Sequence, residues 1–316
     1  MNGNTWLIGC GNMAQDYAKV LRQLEVQFTI IGRGEVSASL FEDSLGLKVE
    51  RGGLESFLHG KPHLPSHAIV SVGIENLASC TSSLAELGIK KILVEKPAGL
   101  DASEINDLAA VSNENEVNVY VAYNRRFYSS VIEARKLIEE DGGVRSFNFE
   151  FTEWSHEIET LQKAAGVKER WVFGNSSHVI DLAFFLGGKP VEVSAFHGGS
   201  LDWHPASSVF TGAGRTIDGK LFSYCANWDA PGRWGLEFCT KNYRLIFRPM
   251  ETLQVMRKGS VSIEAMSFEG QDLDNDFKPG LFLQTKAFLE DNEHDDLCML
   301  SDHVEMLPFY SQIAGY

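Results

Sequence analysis

Apolar and polar positions change their period once along this chain, near residue 123. Before that point short apolar runs recur without alternation: TWLIG (5–9), VQFTIIG (26–32), HAIVSVG (67–73), KKILVE (90–95) and VNVYVAY (117–123). Stretches of helical period separate them: NMAQDYAKVLRQL (12–24), SASLFEDSL (37–45), NLASCTSSLAELG (76–88) and DASEINDLAAVSNENE (101–116). The last opens on Asp101 with Glu104 three residues on, the pattern of a capping box. Strands apolar on both faces, alternating with helices, predict a parallel sheet covered on both sides. The expectation is an α/β class chain that begins with a Rossmann-type, doubly wound domain over residues 1–122.

Beyond residue 123 the pattern is different. FYSSVIEARKLIEEDG (127–142) reads as one amphipathic helix, and VRSFNFEFTEW (144–154) alternates as a strand with one exposed face does. Further alternating runs follow between 191 and 265: VEVSAFHGG, SSVFTGAG, KLFSYCANW, GLEFCTKNYRLIFRP and LQVMRKGSVSIEAM. Gly, Asn, Asp or Pro punctuate them and no long helix interrupts. That predicts a large open, mainly antiparallel sheet in an α+β domain over 123–316, closed by helices at LFLQTKAFLED (281–291) and SDHVEMLPFYSQIA (301–314). An apolar sheet with no helices left to cover its second face calls for a partner, so a homodimer or homotetramer is expected.

Composition narrows the function classes. The 316 residues include 28 basic and 43 acidic ones, a net charge of −15. That disfavours nucleic acid and anionic membrane as partners, and any phosphorylated ligand must be held by local donors. No apolar stretch approaches the roughly 18 residues of a membrane span. The opening MNGNTWLIGCGNMA has neither the basic nor the long apolar region of a signal peptide. Five scattered cysteines (10, 80, 225, 239, 298), odd in number and without a CxxC pair, fit a reducing compartment, so a cytoplasmic protein is expected. His59, His63 and His67 have the spacing of helical metal ligands, but Pro62 and Pro65 break the helix that would align them, and no metal site is expected.

Three stretches carry chemistry. LIGCGNMAQ places G-x-G-x-x-A at Gly9, Gly11 and Ala14, between the first strand and the first helix. Gly9 allows the tight turn, Gly11 lets a pyrophosphate approach, and Ala14 packs the helix onto the strand. The second strand ends in Gly32-Arg33, where an acid would bind a free ribose 2′-hydroxyl. A missing carboxylate and a guanidinium favour NADP(H) over NAD(H). The competing reading has Arg33 solvated and Glu35 on the ribose. ILVEKPAGL (92–100) sets Lys96 at the carboxyl end of a parallel strand, where such sheets bind ligands, and Pro97 keeps it out of the α region. RWVFGNSSHVIDLAFFLGGKP (170–190) sets His178 and Asp181 at the head of an apolar helix, after a polar NSS. Taken singly, Lys96 reads as a solvated strand end and His178 as a core or cap histidine.

Taken together, GxGxxA at 9–14, Glu95-Lys96-Pro97, YNRRF at 123–127 and His178-x-x-Asp181 resemble, in order and spacing, the Gfo/Idh/MocA oxidoreductases. The resemblance runs over nearly the whole chain. It implies a Rossmann domain followed by a domain whose open sheet makes subunit contacts, and hydride transfer between a nicotinamide and a sugar- or cyclitol-type hydroxyl. It implies Lys96 between nicotinamide and substrate, with His178 at the reacting oxygen. Chemistry agrees: oxidising a carbinol needs a base for the hydroxyl proton and a cation for the developing alkoxide. The expected cofactor-binding residues are Gly9, Gly11, Asn12, Met13, Gly32, Arg33, Gly73, Asn76, Glu95 and Lys96. The expected substrate residues are Tyr123, Arg125, Asn175 and His178.

The chain departs from the family's pattern in one respect. Many members carry an acid four residues before this histidine and a glycine two before it, where this sequence has Gly174 and Ser176. Asn175 or Ser177 then binds substrate in place of the acid. Trp171 walls the nicotinamide pocket or belongs to the core, and Arg125 or Arg126 binds an anionic group or marks a domain edge. The resulting expectation is an NADP(H)-dependent oxidoreductase acting on a sugar-like substrate, with nucleotide-linked and acidic sugars among the candidates. The alternatives are a non-catalytic cofactor-sensing regulator, and a lyase or glycosidase that oxidises transiently with tightly held cofactor.

Overall fold

The structure, a computed structural model, describes residues 4–290 and 294–316. Residues 1–3, which open the stretch read above for a leader, and Asp291, the last residue of the expected helix 281–291, lie outside the described residues. The chain forms two compact units, Met1–Asn124 with Asn275–Glu305, and Arg125–Asp274 with Met306–Tyr316.

The first unit runs β1 (Thr5–Ile8), α1 (Asn12–Gln23), β2 (Phe28–Ile31), α2 (Glu35–Leu45), β3 (Val49–Glu50), α3 (Gly53–His59), β4 (His67–Val70), α4 (Leu77–Glu86), β5 (Lys91–Glu95), α5 (Ala102–Glu114) and β6 (Asn118–Ala122). The second unit supplies α6 (Ser129–Glu140), β7 (Ser146–Glu150), α7 (Ser155–Ile158), α8 (Ser177–Gly187), β8 (Pro190–Gly198), β9 (Val209–Thr216), β10 (Leu221–Asn227), β11 (Gly235–Cys239), β12 (Tyr243–Phe247), β13 (Gln254–Arg257) and β14 (Ile263–Ala265). After α9 (Gln271–Asp276) come α10 (Leu281–Leu289), β15 (Cys298–Met299) and α11 (Leu300–Ala314).

The first sheet has the order β15-β6-β5-β4-β1-β2-β3. Its strands are parallel except β15, which pairs antiparallel with β6. Leu7, Ile69, Val70, Ile92, Leu93 and Val94 are fully buried, as two-sided coverage requires. Asp101 accepts from the backbone N–H groups of Ser103 and Glu104 and caps α5 as expected, while Glu104 accepts from Leu100 and not from the Asp101 N–H that a capping box would give it. The division into units departs from a continuous 123–316: residues 275–305 belong to the first unit. Phe288 of α10 sets its ring edgewise to those of His67 and Tyr120, and the two-residue β15 completes the sheet edge. A strand that short leaves no periodic signal. His59 ends α3 and His67 opens β4, and among the described residues no cluster of His, Cys, Asp or Glu could hold a metal.

The second sheet has the order β14-β13-β12-β11-β7-β10-β9-β8. It is antiparallel apart from one parallel pair, β7 with β10. The alternation in FNFEF turns Phe147, Phe149 and Phe151 inward, and Phe147 stacks between Phe222 and Phe238 at ring separations of 5.3 and 5.6 Å. A Cβ on Gly187 would lie 2.3 Å from the Phe147 ring, so glycine is what lets α8 lie this close to the sheet. No helix among the described residues is long and apolar enough to cross a membrane, and all five cysteines are free.

Candidate functional site

The turn from β1 to α1 is shaped by contact. Gly9 has φ +120°, and a Cβ there would sit 2.1 Å from the carbonyl oxygen of Ser71, which follows the neighbouring strand β4. Gly11 precedes α1 in extended conformation and a Cβ there would meet no protein atom within 4 Å. No side chain caps α1 and its first turn carries no acid, so the leading N–H groups, those of Asn12 and Met13 among them, are left for an anionic ligand. These features fit a dinucleotide pyrophosphate.

Gly32 is a packing requirement as well as a missing acid. A Cβ there would lie 2.7 Å from Cys10 Sγ and 2.8 Å from Val49 Cγ1, so any side chain here requires those neighbours to shift. Arg33 Nη1 donates to Asn76 Oδ1 at 3.4 Å, which brings together two residues the sequence singled out separately. Glu35 opens α2 and pairs with Arg51 at 3.0 Å. Gly73 starts the short turn 74–76, with the Glu75 carboxylate where its Cβ would project.

At the end of β5, Glu95 accepts a hydrogen bond from Tyr17 at 2.8 Å. Burial pushes the Glu95 carboxyl above its ordinary range, while Lys96, the Tyr17 hydroxyl and Lys278 pull it back. Burial also pushes Tyr17 well above the usual phenol range. Lys278 further lies 2.8 Å from Met13 Sδ, which joins the helix start to this carboxylate. Lys96 is half-buried in the turn that the Ala98 N–H closes onto the Glu95 carbonyl. Behind it, Pro97 O faces His303 Nε2 at 3.0 Å, and the other ring nitrogen faces the Tyr123 hydroxyl at 3.3 Å. A carbonyl only accepts, so Nε2 donates, and in the neutral ring Nδ1 accepts from Tyr123. Tyr123 is thus an interior residue, 1% exposed, that braces the Lys96 turn, where the sequence reading had placed it on the substrate.

In the second unit the helix does not begin at the NSS triplet. Residues Val172–Ser176 form a π-helical turn that runs directly into α8, so Ser177 and His178 lie within a continuous helix instead of leading one. Ser177 donates to the Phe173 carbonyl and is fully buried, which takes it out of consideration for substrate. Asn175 Nδ2 and Ser176 Oγ both donate to Glu153, at 3.0 and 2.8 Å. Arg233 Nη1 reaches the same carboxylate at 3.4 Å, and Glu153 is 2% exposed. The acid absent at Gly174 therefore has a counterpart reaching Asn175 and Ser176 from the end of β7. The sequence held a signal for it: 147, 149, 151 and 153 share inward parity, and the last is an acid. For Arg233 and Trp234 there was none.

His178 is buried with its ring 6.4 Å from that of Trp234. Asp181 receives both forks of Arg126, Nε at 2.9 Å and Nη2 at 2.6 Å, and burial raises its carboxyl against the pull of that guanidinium. Arg126 is accordingly spent on structure, and Arg125 stacks over Trp234 at 4.7 Å. Trp171 sets its ring edgewise against Trp203 in a buried aromatic cluster, which favours the core reading.

No protein-family model matches the sequence, and no curated protein matches it either. Solved structures do match in fold. UDP-N-acetylglucosamine 3-dehydrogenase GnnA from Acidithiobacillus ferrooxidans is 16% identical, with a TM-score of 0.75 over 99% of this chain and 96% of that one. A putative NADPH-dependent oxidoreductase from Desulfitobacterium hafniense is 17% identical, with a TM-score of 0.80 over 98% and 94%. Levoglucosan dehydrogenase in complex with NADH is 17% identical, with a TM-score of 0.78 over 99% and 96%. At these identities the likeness establishes the fold, and the fold is the one that the motif resemblance led us to expect.

Proposed function

We propose that this chain, which has the fold of the Gfo/Idh/MocA-type oxidoreductases, transfers hydride between a nicotinamide cofactor and a hydroxyl or keto carbon of a sugar-like substrate, with NADP(H) preferred over NAD(H). The observation that carries the reading is the β1–α1 turn. Gly9 is locked by the Ser71 carbonyl, Gly11 is open, and the α1 N-terminus is uncapped, beside the same sheet whose strand β5 is followed directly by Lys96.

The backbone at Gly9, Gly11, Asn12 and Met13 would hold the pyrophosphate. Arg33, with Asn76 as its neighbour, would pair with a 2′-phosphate that an acid at position 32 would repel. When bound, the nicotinamide ring supplies or takes up the hydride. The Lys96 ammonium stabilises negative charge developing on the substrate oxygen, an interaction stronger in the transition state than in the ground state. His178 takes up or returns the hydroxyl proton, the task for which an imidazole near neutral pH is suited. Glu153 holds Asn175 and Arg233 in fixed positions. The substrate class is supported by fold neighbours described as UDP-N-acetylglucosamine 3-dehydrogenase and as levoglucosan dehydrogenase with NADH and L-sorbose.

Titration of NADPH and NADH by cofactor fluorescence tests the reading. NADPH is expected to bind more tightly, and Arg33→Ala to weaken NADPH alone by about 1–3 kcal/mol, the worth of a charge-assisted contact. Equal affinities would overturn the preference, and no binding of either would overturn the whole reading. Net accumulation of reduced cofactor with substrate separates a dehydrogenase from a lyase that oxidises only transiently.

A further inference from the structure

Three arginines of the second unit, two over the Trp234 ring and one on Asp181, differ in their partners. Arg126 is neutralised by Asp181, and Arg233 leans on Glu153. Arg125 has no carboxylate within ion-pair distance among the described residues. Glu251 and Asp274 act on Tyr128, the other ring beneath Arg125 at 5.7 Å, without forming an ion pair with the guanidinium. Two donors beside each other are also unsatisfied. Arg125 Nε and Trp234 Nε1 are both buried with no protein acceptor, and Trp234 is 5% exposed. Buried donors are almost always paired, and leaving one unmade costs about 1–3 kcal/mol, more when it is charged.

The same indole carries a second guanidinium, that of Arg233, also at 4.7 Å, and has the His178 ring as its neighbour. A neutral sugar hydroxyl brings a donor with every acceptor. Two orphaned donors at a cation without an ion-pair partner suit a group that only accepts and carries negative charge. Because the chain is at −15 overall, its long-range field repels anions, so such a group is held by local donors or not at all.

We propose that Arg125 and Trp234 form the recognition site for an oxyanion on the substrate, a carboxylate or a phosphate, which makes the substrate an acidic or phosphorylated sugar in preference to a neutral one. The sugar body of that ligand rests on the oxidoreductase reading; its charge does not.

The test reads the tryptophan fluorescence of the full chain as the difference between wild type and Trp234→Phe. D-glucuronate and D-glucose 1-phosphate are titrated against D-glucose at matched ionic strength, and the two anions separate a carboxylate from a phosphate site. At least one anion is expected to give a saturable change about tenfold or more tighter than glucose. Arg125→Gln is expected to lose that margin, and Arg125→Lys, which keeps the charge without the planar fork, to recover part of it. An equal response to glucose, no response to either anion, or an undiminished response in Arg125→Gln overturns the proposal. Should Arg125→Gln fail to fold, Arg125→Lys carries the comparison, and wild-type affinity there overturns the requirement for a forked donor. The measurement needs neither cofactor nor turnover, so anion binding here, together with no binding of either NADPH or NADH in the cofactor titration, would refute the redox reading alone.

Discussion

Lys96 and His178 contribute different things to the proposed reaction, and their removal should show in different ways. Lys96→Ala takes away charge stabilisation felt mainly in the transition state, so kcat should fall with little change in cofactor affinity. His178→Asn removes proton transfer, a loss of about 10²–10⁴-fold in single-turnover hydride transfer. Cofactor titration of both variants should match wild type, since the phosphates are assigned to the β1–α1 turn and Arg33. Wild-type turnover in His178→Asn would reduce that histidine to a packing residue. Glu95 carries a different prediction, in pH. Its folded carboxyl is raised by burial, so between the ordinary glutamate range and that raised value the folded state holds more protons than the unfolded one. Stability from this group is therefore full at low pH and is lost as pH rises through the window. Glu95→Gln, which keeps an acceptor for Tyr17, should flatten that slope in pH-dependent urea unfolding; an unchanged slope would refute the assignment.

At the scale of elements, the π-helical turn at Val172–Ser176 is what sets Asn175 and Ser176 against Glu153. Such turns add a residue within a helix and recur at functional sites. Adjacent serines give the turn an internal control. Ser176 donates to a buried carboxylate, whereas Ser177 donates only to the Phe173 carbonyl one turn back. Ser176→Ala should cost about 1–3 kcal/mol in urea unfolding, against about 0.5–1.5 for Ser177→Ala. Equal costs would mean that Glu153 is satisfied by its other donors. The same carboxylate shows how far local pattern reaches. Its inward parity is written in FNFEFTEW, but Asn175, Ser176 and Arg233, which donate to it, come from a helix turn and a loop with no shared period.

At the scale of the molecule, the outer face of the second sheet presents Phe196, Val209 and Leu221 at 66%, 38% and 64% exposure. Between them lie small residues, Ser194, Ala213 and Ser223, in register across β8, β9 and β10. A broad face of that kind, apolar at intervals with the Arg215–Glu192 ion pair at 2.7 Å beside Leu221, suits a second copy of itself packed sheet to sheet. Light scattering at micromolar concentration should report a dimer or tetramer, and Leu221→Glu with Phe196→Glu should yield monomer. A wild-type monomer would end the idea.

The sequence by itself determined the two fold classes, the G-x-G-x-x-A turn, the Asp101 cap and the position of Lys96 at a strand end. Each is a local matter: period, a glycine needed by one turn, or the residue after an apolar run. What only the tertiary structure decided are the relations between distant residues. Gly32 is empty because Cys10 and Val49 fill the space, and Tyr123 is a brace because His303 comes to it from α11. Residues 275–305 join the first unit through a two-residue strand. Of two adjacent arginines, one is spent on Asp181 and the other is left over an indole. Periodicity records which way a side chain faces and not what it will meet, because the partner comes from another part of the chain.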